Sequence, residues 1–468
     1  MQSKTRILRL PDGQAFMVTS KPSGFFFKHH QDQESTNGSF EWTVSITVGN
    51  ESPPQMESPQ YLGLMNVAPD TEGSRGEAEI QPPCPGVFGM ATRQDDYLCI
   101  TSMLASPSAV SFERQVAMML FVTLYWYFDN IHPARSTKSP AAKKTPIEGQ
   151  PYDEWRVNIQ RDGALKDDCL VSMLQQMGLI ASLDSLVGTA ESPAQDKLFV
   201  ASRMFWQLRN ELFLYRIRGD AAQAAVYSSS SQLSVFRQPP PLMYTTTNGI
   251  RHSVRPKPPR MGELFYTRFS RHVNAYISFR VASISPTPVA YKGPTGPEPA
   301  SNAHLRDMSD TALIKMWMAK PRVSHFWGEY TDDFLNSALS DPHSIPVIGM
   351  WDGVPFGFFQ IYWVKEDILG QHVGGEVARD FDRGLHVFIG EEWARGRVPC
   401  WLNSLAHWCL LDDSRTMSVC LEPRMDNENF IRHLRNNMFH QERLVSFPHK
   451  QAWMVRLRRE MWEAPEIW

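Results

Sequence analysis

The sequence predicts an α+β protein of two domains, and three observations carry that reading. At 468 residues the chain is too long for one small core and suits two, at the usual ~100–250 residues per domain. A run rich in Ser, Thr and Pro from Ser228 to Arg260 interrupts the apolar patterning near mid-chain. Beyond it, helices and strands alternate irregularly, and two apolar runs meet at Asp352-Gly353, a strong tight-hairpin signal. The expected organisation is therefore a domain over 1–225, a linker over 226–262 and a second domain over 263–468.

In the first half, Phe40–Val48 and Trp155–Gln160 alternate as strands do, and Val116–Phe128, Asp168–Leu179 and Asp196–Arg216 read as helices. In the last of these, Leu198, Ala201, Phe205, Leu208, Leu212 and Tyr215 keep the three-to-four spacing of a buried stripe. Ser136–Tyr152 and Ser285–Pro299 are too rich in Pro and Gly for helices. The second half predicts strands at Leu264–Phe269 and Val273–Val281, then helices at Asp307–Met318 and near Thr331–Ala338. A hairpin of Ile345–Trp351 with Pro355–Val364 follows, then a strand at Gly384–Ile389 and a helix from Pro399 to Asp412. A strand at Thr416–Leu421, a helix at Asn427–Asn437 and strands near Glu442–Phe447 and Ala452–Leu457 close the chain. That order suits an α+β sheet better than a doubly wound one.

Composition narrows the function. Lys plus Arg is 47 against Asp plus Glu at 50, a net charge of -3, so no broad positive field exists for nucleic acid or an anionic membrane. The helices around Met177-Gly178 can be drawn as a helix-turn-helix, but they lack the charge surplus that DNA binding needs. Six cysteines without a CxxC pair suggest neither a disulfide framework nor zinc, and His29-His30 has no third ligand nearby, so no metal is expected. The longest apolar run, Val116–Phe128, falls short of the ~18 residues that span a bilayer, and no membrane association is expected. With no standard peroxisomal address, a cytoplasmic location is expected and a peroxisomal one stays open. The serine-hydrolase elbow, the phosphate loop, the dinucleotide fingerprint and HExxH are all missing.

The most informative segment runs from Leu385 to Cys400: a strand, a basic turn containing Gly396, and a helix opened by Pro399. Exposed amides at such a helix start, with Arg395 and Arg397 beside them, make an anion site that suits a pyrophosphate. An isolated turn of this kind reads equally well as a connection with solvated arginines.

With its flanks, the turn resembles the acyl-CoA loop of the GNAT acyltransferases, whose pattern is Arg or Gln, two residues, Gly, one residue, then Gly or Ala. Here Arg395-Gly396-Arg397-Val398-Pro399-Cys400 has Val398 in place of the usual Gly and Cys400 as the last small residue. WMAKPRVSHFWGE, SIPVIGMWDGVPFGFFQIYWVKEDILG, DRGLHVFIG and LEPRMDNENFIRHL resemble the siderophore-biosynthesis branch, which includes aerobactin-type hydroxylysine acetyltransferases and mycobactin acyltransferases. LYWYFDNIHPAR, WRVNIQRDG and MGLIASLDSLVG extend the resemblance to the two-domain fungal hydroxyornithine transacylases.

The resemblance implies two GNAT-like domains, the first degenerate and the second catalytic. It also implies acyl transfer from an acyl-CoA co-substrate, anhydromevalonyl-CoA favoured and acetyl-CoA the alternative, to the hydroxylamine nitrogen of N5-hydroxyornithine. A homodimer is left open, and the rival classes are a non-catalytic GNAT-like scaffold and a peptide N-acetyltransferase. His386 and Glu422 match the family's paired His and acidic residue and are the candidate catalytic pair. Val387, Phe388, Ile389, Arg395, Gly396, Arg397, Val398, Pro399 and Cys400 are the candidate acyl-CoA contacts, and the thiol of Cys400 raises an acyl-enzyme alternative to direct attack. Trp317, Arg322, Phe326, Trp327, Tyr362, Trp363 and Asn427 are the candidate acceptor contacts, with Arg322 proposed to clamp a carboxylate; for the tryptophans a core role, and for Asn427 a helix cap, are the simpler readings.

Overall fold

The structure, a computed structural model, describes residues 4–25, 40–48, 97–99, 112–129, 144–146, 155–161, 163–182, 198–215 and 242–465. His29-His30, nearly all of Ser136–Tyr152 and the Ser/Pro run before residue 242 lie outside the described residues. The chain divides into two compact units, one holding most of residues 1–219 and the other most of residues 237–468.

In the N-terminal unit, β1 (Lys4–Arg9), β2 (Ala15–Phe25) and β3 (Phe40–Val48) form an antiparallel sheet. A second sheet has the order β4-β5-β7-β6, from β4 (Tyr97–Cys99), β5 (Arg156–Gln160), β6 (Ala181–Ser182) and β7 (Leu198–Ala201). Helix α1 (Phe112–Phe128) is buried from Gln115 onwards, as a helix apolar around its whole circumference must be. Phe121 stacks on Phe213 at 4.9 Å, and Tyr125 meets Trp206 edge-on. Helix α2 (Asp168–Gln176) starts at Asp167, whose carboxylate accepts from the Cys169 amide at 2.8 Å.

The helix expected over Asp196–Arg216 does not form. Leu198–Ala201 is β7, followed by the short helix α3 (Ser202–Trp206) and a 3-10 turn at Asn210–Leu212. Leu198 and Val200 are buried while Phe199 between them is half-buried, so the run alternates with period two and pairs with Ile159 and Val157 of β5. A four-residue apolar run fits either period, and pairing with a partner strand decides it.

The C-terminal unit begins with a hairpin, β8 (Tyr244–Thr247) and β9 (Ile250–Ser253), inside the stretch expected to be linker. Its signal is Asn248-Gly249, with φ of 51° and 79°, the backbone a type I′ turn requires. The main sheet has eight strands in the order β10-β11-β12-β13-β14-β15-β17-β16. They are β10 (Leu264–Ser270), β11 (Ala275–Val281), β12 (Ser344–Trp351), β13 (Val354–Trp363), β14 (Arg383–Ile389), β15 (Ser418–Leu421), β16 (His440–Ser446) and β17 (Gln451–Arg458). Asp352-Gly353 makes the predicted hairpin between β12 and β13, with φ of 47° and 80°.

Helices α4 (Asp310–Met318), α5 (Pro321–Trp327), α6 (Phe334–Ser340), α7 (Ile368–Val373), α8 (Val398–Asp412) and α9 (Glu428–Asn436) complete this unit. The sequence pattern predicts neither α5 nor α7. A buried pair ties α4 to the sheet, because both Asp310 carboxylate oxygens accept from Arg280 of β11 at 2.7 and 2.8 Å.

One junction makes the site. Every neighbouring pair in the main sheet is antiparallel except β14 and β15, which run parallel and touch only at Arg383 with Val419 and Gly384 with Cys420. Strand β14 stays paired to β13 as far as Ile389, so its other edge is left without a strand partner beyond Gly384.

Candidate active site

His386 stands on β14 two residues past the last contact with β15, and Glu422 immediately follows β15. The parting of the strands brings them together: His386 Nε2 hydrogen-bonds to Glu422 Oε1. The Glu422 side chain is 2% exposed and that of His386 28%, so the acid lies beneath and the imidazole faces outward. The second Glu422 oxygen, Oε2, accepts from the Tyr362 hydroxyl at 2.6 Å. From the β16–β17 turn, Lys450 Nζ donates to the Glu422 backbone carbonyl at 3.1 Å and lies 3.7 Å from Oε1.

These contacts set the charges. Burial alone would raise the Glu422 carboxyl, but the charges of His386 and Lys450 and the Tyr362 hydroxyl hold it down at about 2. Burial would likewise depress the His386 imidazolium, yet the Glu422 carboxylate, aided by Asp367, raises its pKa above the ordinary 6.5. A carboxylate can only accept, so Nε2 carries the hydrogen and Nδ1 of the neutral ring presents a lone pair. Among the described residues no hydrogen bond to Nδ1 is found.

The aromatic candidates divide. Trp327 stands edge-on to His386 at 6.3 Å and to Phe388 at 5.0 Å, and its indole donates to the Val387 carbonyl at 3.3 Å. Tyr362 lies against His386 with ring centroids 4.4 Å apart. Trp363 does not join them, because successive strand residues face opposite ways. Its ring lies against the guanidiniums of Arg255 and Arg383, at 4.4 and 3.4 Å. Trp317 is wholly buried in the core against Phe388, its indole bonded to Glu391 at 2.7 Å. Phe326 is 44% exposed beneath Arg424, which bridges His325 and Asp426. Asn427 is a cap, accepting from the Phe430 amide at 3.4 Å.

Arg322 does not present an unoccupied fork. Its guanidinium donates to the Ile389 carbonyl at 2.6 Å and to that of Gly390, binding α5 to the edge of β14. The Val387 and Ile389 carbonyls, both taken from α5, mark these residues as the ones whose backbone groups face the parted edge. Lys320 bonds Gly390 as well, at 2.9 Å.

Around the basic turn, Glu392–Arg397 winds as a 3-10 helix that runs directly into α8. No side chain caps the start of α8, Arg395 and Gly396 are exposed, and the half-buried Arg397 lies 5.2 Å from the rings of Trp351 and Trp393. Val398 is buried and Pro399 half-buried in the first turn. The Cys400 thiol is buried and lies 3.7 Å from Ser270 Oγ on β10.

Residues 306–447 match the acetyltransferase (GNAT) domain family. The N5-hydroxyornithine acetylase sidL of Beauveria bassiana is 40% identical over 95% of this chain and 98% of its own length. The chain belongs to the hydroxyornithine acyltransferases of the GNAT superfamily. Two further relatives match over part of their length. An Escherichia coli N(6)-hydroxylysine O-acetyltransferase is 33% identical over 43% of this chain and 58% of its own. The Beauveria bassiana N(5)-hydroxyornithine:cis-anhydromevalonyl coenzyme A-N(5)-transacylase SIDF is 34% identical over 44% of this chain and 42% of its own.

This acyltransferase uses an acyl-CoA as co-substrate, and one residue of the basic turn tests where it binds. A Cβ built on Gly396 meets no atom within 4 Å. Gly396→Ala should therefore leave the melting temperature within about 2 °C, in line with surface changes of under ~0.5 kcal/mol. If the pantetheine or pyrophosphate approaches this backbone closely, the same methyl raises KM for acyl-CoA by roughly tenfold, with KM for the acceptor unchanged. Unaltered KM values for both substrates would take Gly396 out of the cofactor site.

Proposed function

We propose that this acyltransferase moves an acetyl group from acetyl-CoA to the hydroxylamine nitrogen of N5-hydroxyornithine, making the hydroxamate used in siderophore biosynthesis. The carrying observation is the match to the Beauveria acetylase, which extends over nearly the whole of both chains. The anhydromevalonyl alternative draws its support from a transacylase matched over 44% of this chain.

In the proposed reaction the hydroxylamine nitrogen attacks the thioester carbon, its proton passes to His386 Nδ1, and as the C–S bond breaks the imidazolium returns that proton to the departing sulfur, releasing CoA as the thiol. A hydroxylamine is largely unprotonated at neutral pH, so the base need act only as the N–C bond forms. Backbone N–H groups of Val387 and Ile389, on the parted edge, donate to the thioester oxygen as charge develops and to the pantetheine. The exposed start of α8, with Arg395 and Gly396, takes the pyrophosphate.

Turnover of N5-hydroxyornithine with acetyl-CoA and with anhydromevalonyl-CoA, side by side, checks this. The expected result is a kcat/KM at least about tenfold higher for acetyl-CoA, the discrimination that a few methylenes in an apolar pocket supply, and no turnover of unmodified ornithine. A ratio in the other direction would establish the anhydromevalonyl reading, and turnover of unmodified amines would overturn both.

A further inference from the structure

Tyr362 is one of the largest fully buried side chains of the C-terminal unit, yet it spends its hydroxyl on a carboxylate rather than on backbone. The ring starts on β13, crosses β14 and reaches the end of β15, and this path exists because the residue opposite it is Gly384. A Cβ on Gly384 would lie 2.1 Å from two atoms of the ring. Tyr362 belongs to the same buried apolar cluster as Val364, Leu369, Cys420 and Met454.

We infer that Tyr362, laid across the notch at Gly384, is a positioning residue that holds Glu422 in the orientation that in turn fixes the His386 tautomer. The inference rests on the reading of His386 and Glu422 as the catalytic pair. Glu422 has two oxygens and a buried charge, and without the Tyr362 hydroxyl one of them would lack a donor in an apolar surround. With Oε2 occupied, Oε1 is aimed at Nε2, and the lone pair on Nδ1 faces outward. The close, tilted contact of the Tyr362 ring with the imidazole, at 4.4 Å between centroids, limits rotation of His386 about its side-chain bonds. The other ionic groups around His386 are Lys450 from the β16–β17 turn and Asp367 at the start of α7. Neither touches Oε2.

Tyr362→Phe removes one oxygen and keeps the ring, so the core stays filled. The expected result is a melting temperature within a few degrees of the parent, kcat lowered about 10- to 100-fold, and both KM values within about twofold. The pH profile supplies the readout that a merely structural tyrosine would not move. Loss of the donor leaves Glu422 more basic and its hold on the His386 proton stronger, so the acid limb of kcat/KM moves to higher pH. Gly384→Ala, which keeps the hydroxyl but displaces the ring, should give the same lowered kcat and a shifted limb. A Tyr362→Phe enzyme with parental kcat, or with a lowered kcat and an unmoved acid limb, overturns the inference, provided His386→Ala and Glu422→Gln are impaired. If those two retain normal turnover, the catalytic pair itself is wrong and the inference falls with it.

Discussion

His386→Ala is expected to lower kcat by about 10²–10⁴-fold, the range in which positioned general bases contribute, while both KM values stay near parental. The conversion is about 1.4 kcal/mol per decade, so the imidazole is being asked for roughly 3–5 kcal/mol of the barrier. The loss should lie towards the smaller end, because the hydroxylamine reaches the thioester already unprotonated and needs the base only while the tetrahedral carbon forms. Folding should be little affected. The His386 side chain is 28% exposed, and its polar contact to Glu422 is the one lost. Glu422 then stays buried beside Lys450 and Tyr362, which limit the cost of its charge. Steady-state kinetics with each substrate saturating in turn checks this, and a kcat within threefold of the parent would remove His386 from the chemistry.

Much of the C-terminal sheet is legible in the sequence because its signals are local. Asp352-Gly353 can take the two positive φ angles of a tight turn, and the runs on either side of it are strands. Glu422 is likewise readable as the residue that ends a strand before Pro423 and the helix capped by Asn427. What the sequence could not supply is register. Tyr362 and Trp363 are chemically similar neighbours, and only the pairing of Gln360 with His386 determines that Tyr362 shares the imidazole's face while Trp363 faces Arg255 and Arg383. Lys450, 28 residues from Glu422, and Gly384, opposite Tyr362, carry no pattern that marks them. Arg322 is a site residue by position but not by the expected means, since the carbonyls of Ile389 and Gly390 compete for its fork. The same limit explains β7, where Leu198 and Ala201 fit a helical stripe but pairing with β5 makes the run a strand.

Glu422→Gln should be as damaging as removal of the histidine, for a reason that the hydrogen bonds dictate. The Tyr362 hydroxyl donates to one Glu422 oxygen, so the amide oxygen of a glutamine takes that place and its NH₂ group turns towards His386. An NH₂ group can only donate, which obliges Nε2 to accept and moves the ring hydrogen to Nδ1, the atom that must receive a proton. A histidine held in the wrong tautomer by this same Asp-to-Asn type of exchange loses about four decades of kcat in a serine protease, so a loss of about 10²–10⁴-fold is the expectation here. The pH profile separates this cause from simple misplacement. In the parent, Glu422 raises the His386 pKa above 6.5 against the opposing effect of burial. As a base, His386 must be neutral, so parental kcat/KM falls as pH drops through that raised value. With Gln the largest raising charge is gone, and burial and Lys450, which lower the pKa, are opposed only by Asp367, so the acid limb of the residual activity should move to lower pH. Glu422→Asp, which keeps the charge and shortens the reach by one methylene, should hold the limb above 6.5 at reduced kcat. An acid limb that stays in place in Glu422→Gln would mean that the titrating group is not the imidazole paired with this carboxylate.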